Sequence, residues 1–269
     1  MNNSNLSMRL NNYFVSALDI LGMKNAICNS TDDCLKEMSK NFLIAMANGR
    51  ELLKEEFLNL LTDDDVRTKF LKLYNETNVW VFSDTIVMTL NLDKLYENFD
   101  SDGIQVAISL FFNQVVMMFY NLFCMGFPSR CCIDIGRLEI QNNFVFGAAY
   151  VNALTIGEAL DFSGIVISDA AANRLKSVPN DLIGDVKKCK ISVPLSKSLH
   201  GEKEMQIWCL DWISHKDKTL RIAIEKDRQW IWDMFSQHNK QITNSVERKI
   251  KNTERVLRQI AALTTITTN

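Results

Sequence analysis

From Gly103 to Ser129 the chain carries no charged residue, and this run limits what the rest can fold into. A stretch so long and apolar either crosses a membrane or forms the centre of a large core. Within it Gln105, Ser109, Asn113 and Asn121 recur at multiples of four, so on a helix they form a narrow polar stripe along one side. Such a stripe suits a helix buried in a soluble core, or partly in a dimer interface, better than one facing lipid. The expectation is a helix from about Gly103 to Met125 inside a soluble protein. With 47% hydrophobic residues in 269, there is apolar material enough for a large domain.

The segments around that helix set the fold class. Tyr13 to Ile20 is β-branched and aromatic and runs into the turn Leu21-Gly22-Met23, which predicts a first strand. Asp32 or Asp33 can cap a long helix to about Leu61, and a second helix is expected over Asp63 to Tyr74. Val79 to Leu90 reads as two strands in a tight hairpin broken at Ser83-Asp84, and Pro128 to Glu139 as a strand containing Gly136. Strand, helix, strand, strand, helix, strand is the ferredoxin-like split βαβ order. It predicts an α+β fold: an antiparallel sheet with helices on one face and the other face free for a ligand or partner. Further elements are expected as helix (Ala148 to Leu160), strand (Gly164 to Ser168), helix (Ala170 to Leu175) and two late strands (Val186 to Val193, Met205 to Trp212). The boundaries expected are a flexible N-terminus over 1–12, a main domain over 13–213 and a C-terminal helical extension over 214–269. In that extension Ile242, Val246, Lys249, Thr253, Leu257 and Ile260 trace a heptad-like seam suited to packing or dimer support.

Composition excludes some functions. A formal charge of -2 provides no general attraction for nucleic acid or an acidic membrane, so phosphate must be bound locally if at all. The seven cysteines form no CxxC and no paired spacing and read as reduced core residues of a cytoplasmic protein. The polar N-terminus lacks the apolar stretch of a secretory signal. His200, His215 and His238 are scattered, and Trp208, Trp212, Trp230 and Trp232 read as packing.

Two carboxylates remain of chemical interest: Asp19 at the end of the first strand and Asp84 in the hairpin turn. In a split βαβ sheet these places can be neighbours, and two converging carboxylates suit Mg²⁺ or Mn²⁺, hard ions that keep positions open for phosphate oxygens. The amides around Ile20 to Met23 can receive phosphates at a helix start, with Lys24 adding a charge. An Asp at a strand end and a Ser-Asp in a turn are also ordinary turn residues.

Four blocks in order add to this: Phe14 to Met23 (FVSALDILGM), Val81 to Val87 (VFSDTIV), Arg130 to Gly136 (RCCIDIG), and Phe146-Gly147 followed by Ala153. Together they resemble the class III adenylate and guanylate cyclase catalytic domain over roughly residues 13 to 175. Within it they are most similar to the short stand-alone pyrimidine cyclases of the bacterial Pycsar anti-phage system. The resemblance implies that Asp19 and Asp84, with the backbone carbonyl of Ile20, hold two Mn²⁺ or Mg²⁺ ions per site. It implies Phe14, Leu21, Gly22, Met23, Trp80 and Asn142 as substrate contacts. It also implies a homodimer with sites at its interface, a nucleoside triphosphate substrate and a downstream effector that senses the cyclic product, while the charge balance points to no nucleic acid or membrane partner.

The departures are as informative. Trp80 stands where adenylate cyclases carry the Lys that reads the purine, and Asn152 is followed four residues on by Ile156 rather than by the transition-state Arg. Arg130, Arg137 or Arg174 would have to meet the developing charge; Arg130 is the catalytic candidate. The expected reaction is UTP to 3′,5′-cyclic UMP. CTP cyclisation, a purine cyclase with an unusual pocket, and a degenerate nucleotide-binding domain are the alternatives.

Overall fold

The computed structural model describes residues 11–141, 144–176, 188–199, 201–213, 229–238 and 240–266. In chain order these form β1 (Asn11–Ile20), α1 (Met23–Asn29), α2 (Asp32–Leu60), α3 (Asp64–Tyr74), β2 (Thr77–Phe82), β3 (Thr85–Asn91), α4 (Leu92–Asn98) and α5 (Ser101–Cys124). There follow β4 (Ser129–Gln141), β5 (Phe144–Phe146), α6 (Ala148–Ala159), β6 (Gly164–Ile167), α7 (Asp169–Leu175), β7 (Lys188–Leu199), β8 (Glu202–Leu210), α8 (Gln229–Ser236) and α9 (Asn244–Ile266). The sheet order is β2-β3-β1-β4-β6-β8-β7, with β5 paired to β4; every neighbour is antiparallel except β4 and β6. The stretch β2-β3-β1-β4 is the split βαβ order, and the α+β expectation holds.

The uncharged run forms α5, whose length and apolarity would also suit a membrane span, and 83% of its most apolar window is buried against the rest of the chain. Phe14 of β1 meets Phe111 and Phe112 of α5 at ring separations of 5.9 and 5.4 Å, and Leu18, Ile86 and Met88 complete the layer. The polar stripe is buried at Ser109 and Asn113, and it is satisfied locally. Asn113 donates to the Ser109 carbonyl and Asn121 to the Met117 carbonyl, one turn back along the same helix. α2 crosses α5 at Gly49, where an added Cβ would lie 2.8 Å from the Met118 Cα; only glycine permits that approach. Helix starts are fixed by side-chain acceptors. Asp63 receives the amides of Asp65 and Val66, and Asp100 that of Gly103. The cap of α2 is Thr31, with Asp32 and Asp33 in the first turn rather than at the cap.

The second sheet face is not free. Ala149 and Ala153 of α6 pack on Val15, Ala17 and Cys132, and Val256 and Ile260 of α9 extend that layer. Small residues allow it: a Cβ on Gly136 would stand 3.3 Å from that of Ala149. Helices therefore cover parts of both faces, because α6 is the crossover between the parallel strands β4 and β6 and must lie on one of them. Along the described part of the C-terminal region, α8 and α9 pack on the sheet layers through Ile231, Ile250 and Leu257, so the seam serves the chain's own core. Of the cysteines only Cys131, Cys132 and Cys209 are buried; Cys28 is exposed and the other three half-buried, so the reading of all seven as core residues is corrected. His200 and His215 lie outside the described residues, as do 1–10, the expected flexible end.

Candidate active site

β1 lies between β3 and β4, so residues from three strands meet at its C-terminal end. Asp19 pairs with Thr85 on one side and Arg130 on the other. Because cross-strand partners share a face, Asp19, Arg130, Thr85 and Phe82 form one row on the α6 side of the sheet. Ala17, Cys132, Val87 and Trp80 form the next. The hairpin turn is Ser83-Asp84, with Ser83 at a φ of 58°. The Ile20 amide donates to the Asp84 carbonyl at 3.0 Å, which ties the turn to the end of β1. The two acidic residues are thereby brought together.

Arg130 donates to Oδ2 of Asp19 through Nε at 3.1 Å and through Nη2, and its Nη1 donates to the carbonyls of Glu158 and Leu160. Burial pushes the Asp19 carboxyl above its ordinary value, Arg130 pulls it down, and the charges of Asp84 and Glu158 raise it again. A buried carboxylate whose proton affinity is raised by a neighbouring one marks a site that favours positive charge. A pair of Asp side chains with an adjoining backbone carbonyl is the oxygen donor set of a hard divalent ion, so these residues fit Mg²⁺ or Mn²⁺. Among the described residues no group of three or more His, Cys, Asp or Glu stands where it could hold a metal ion, so such an ion would have two carboxylates and a backbone carbonyl from this chain.

Beside Asp19 opens a cleft of about 400 Å³. Leu21, Gly22, Asn25, Arg130, Glu158, Ser196, Lys197, Lys240 and Lys249 are among the residues that line it, and Arg130 links it to Asp19. Gly22 adopts a φ of 75° and turns the chain from β1 into α1.

No family model and no curated protein matches this sequence. Solved structures do resemble it in backbone path. A bacterial light-regulated adenylyl cyclase gives a TM-score of 0.45 at 7% identity, covering 84% of this chain and 99% of that one. A guanylyl cyclase gives 0.40 at 10%, covering 76% and 93%. The catalytic core of a rhodopsin-guanylyl cyclase with converted specificity, in complex with ATPαS, gives 0.44 at 13%, covering 75% and 95%.

The expected site residues divide into those the fold gathers and those it does not. Asp19, Ile20, Asp84 and Arg130 meet at the end of β1, and Leu21 and Gly22 line the cleft. Phe14 is a correction: it faces the opposite side of the sheet, fully buried against α5, where no substrate reaches. Met23 is likewise buried in the main core. Trp80 lies on the Asp19 face but two strands away, about 10 Å across the sheet, half-buried against the second layer. The amides of Ile20 and Leu21 already donate to the carbonyls of Asp84 and Pro128, so they are not the phosphate receivers expected. Arg130 is held by Asp19 rather than poised as an independent cation. Asn152 donates to Asp134, which also accepts from Ser168. Asn142 lies outside the described residues. Lys240, Lys249 and Glu158 were missed because no local motif marks them; they reach the cleft only through tertiary packing.

Proposed function

We propose that the chain is a class III nucleotide cyclase that converts UTP to 3′,5′-cyclic UMP and pyrophosphate, with CTP as the alternative substrate. The observation that carries this reading is the Ile20–Asp84 backbone hydrogen bond, which ties the two acidic blocks together next to Leu21, Gly22 and Arg130, residues that line a cleft holding several cations. In the reaction the 3′-hydroxyl oxygen attacks the α-phosphorus, its proton is released, and the bond to the β-phosphate oxygen breaks as pyrophosphate leaves. Divalent ions held by Asp19, Asp84 and the Ile20 carbonyl would supply acidification of the hydroxyl and neutralisation of the triphosphate.

Arg130 acts on this reading as a positioning residue. Its fork fixes one Asp19 oxygen and leaves the other directed for coordination. The choice of a pyrimidine rests on the sequence alone, which has Trp80 where a purine-reading lysine would stand. A homodimer, a cytoplasmic setting and synthesis of a second messenger in anti-phage defence, read out by a cyclic-nucleotide effector, belong to the same proposal and rest on the ordered motifs. So does a division of the chain into 13–213 as catalytic domain and 214–269 as extension.

The test is incubation of the purified chain with Mn²⁺ and ATP, GTP, CTP or UTP in separate reactions, with products identified by mass spectrometry. Cyclic UMP that vanishes with Asp84→Ala is expected. A purine product, or turnover that survives this substitution, would overturn the assignment.

A further inference from the structure

Among the described residues, one cation of the cleft has no acid paired with it. Lys197 pairs with Glu158 at 3.2 Å, Lys249 with Asp161 at 3.7 Å, and Arg130 with Asp19. Lys240, on the segment between α8 and α9, is only 9% exposed, and among the described residues no carboxylate pairs with it. Its Nζ donates to the Gly126 carbonyl at 2.8 Å and stands 5.6 Å from the centre of the Phe127 ring. These contacts fix the ammonium in place without neutralising it. An ammonium buried without a counter-charge is costly, and such groups are ordinarily paired. Its stem also abuts the turn beside Asp19: a Cβ on Gly22 would lie 3.7 Å from the Lys240 Cδ. Missing negative charge, a cleft of about 400 Å³ and further lysines on its wall describe a polyanion site.

We infer that Lys240, with Lys249 on the same cleft, forms a polyphosphate-binding wall supplied by the C-terminal segment, which holds the β- and γ-phosphates of the nucleotide and the pyrophosphate formed from them. The nucleotide in this statement rests on the cyclase reading, whereas the polyphosphate site does not. The C-terminal segment thus completes the substrate cleft within one chain. Removing it would remove affinity for the phosphates rather than only stability.

The experiment is isothermal titration of the full chain, without metal and in the presence of EDTA, with inorganic tripolyphosphate, UTP or uridine. Tripolyphosphate and UTP are expected to bind and uridine not. Lys240→Met keeps the stem and removes the charge, and should weaken both phosphate ligands by about tenfold or more, the worth of a charge-assisted hydrogen bond. Lys249→Met, which tests the wall should Lys240→Met fail to fold, should weaken them in the same direction, while Lys36→Met on the exposed face of α2 should not. Failure of tripolyphosphate to bind the unaltered chain, or equal binding by Lys240→Met, would overturn the inference. Binding that depends on Lys240 in a chain that cyclises no nucleotide would leave this site standing and remove the cyclase reading. Cyclisation by Lys240→Met with unchanged KM would do the reverse.

Discussion

Asp19 is held between opposed influences: burial and two neighbouring carboxylates raise its proton affinity, and Arg130 lowers it by less. A carboxyl with a raised folded-state pKa contributes stability that is present below its ordinary value near 3.8 and is lost as pH rises through the folded value. At neutral pH the ionised Asp19 therefore works against folding. Asp19→Asn should melt at a higher temperature than the parent at pH 7, with the gap narrowing on acidification, while activity falls by about 100-fold or more; calorimetry and product assay give both. A lower melting temperature would mean that the Arg130 ion pair outweighs burial. Lys240 runs in the opposite pH range. Burial brings its ammonium down to about 7, so between about 7 and 10.5 the unfolded chain binds the extra proton and stability rises with pH. The cost at neutral pH and below is at most about 5 kcal/mol. Lys240→Met should flatten that rise in urea titrations at pH 7 and pH 9.5.

Elements here are held by close approaches. α2 reads from its sequence as an ordinary long helix, and Gly49 in its interior costs helix propensity of about 1 kcal/mol. That cost is met by contact with α5, since a methyl at Gly49 would strike the Met118 backbone. Gly49→Ala should thus destabilise by about 1–2 kcal/mol net, propensity gained and overpacking lost, where an exposed helical glycine would give the opposite sign. Chemical denaturation reads it directly. The hairpin shows a related economy. Ser83 adopts left-handed backbone, unfavourable for a residue with a side chain, so that Asp84 can face Asp19 and its carbonyl can receive the Ile20 amide.

Across the whole molecule, α9 joins the two ends of the chain's chemistry. Asp161, 4% exposed, accepts from Arg248 at 2.6 Å and from Asn252 at 3.0 Å and pairs with Lys249. Thr253 adds a bond from the Ser163 amide at 2.9 Å. These contacts fix α9 beside α6 and so hold Lys249 at the cleft. Asp161→Ala leaves Arg248 and Lys249 without their carboxylate, while Asn252 keeps the backbone carbonyl of residue 161, and should cost about 2 kcal/mol. On the proposed wall it should also weaken phosphate binding more than Arg130→Lys would. Thermal melting with tripolyphosphate titration separates the two effects.

Much of this arrangement was legible in the residues. Local pattern placed α2, α3, α5, α6 and the strands β1 to β4 nearly to their ends: α2 and α3 write an apolar face into their spacing, while α5 and β1 stand out as continuous apolar or β-branched runs because they are buried on all sides. Asp19 and Asp84 stood out because turns hold few residues and theirs were acidic. Phe14 was misplaced because its motif neighbours say nothing about which side of the sheet a residue faces. Strand pairing sent it to α5 and Asp19 to the other side. The covering of the second face by α6, the capture of Arg130 by Asp19, and the arrival of Lys240 at Gly22 lay beyond the sequence. Each depends on contacts between residues distant in the chain, whose free energy is settled only when the whole sheet, with both its layers, has closed.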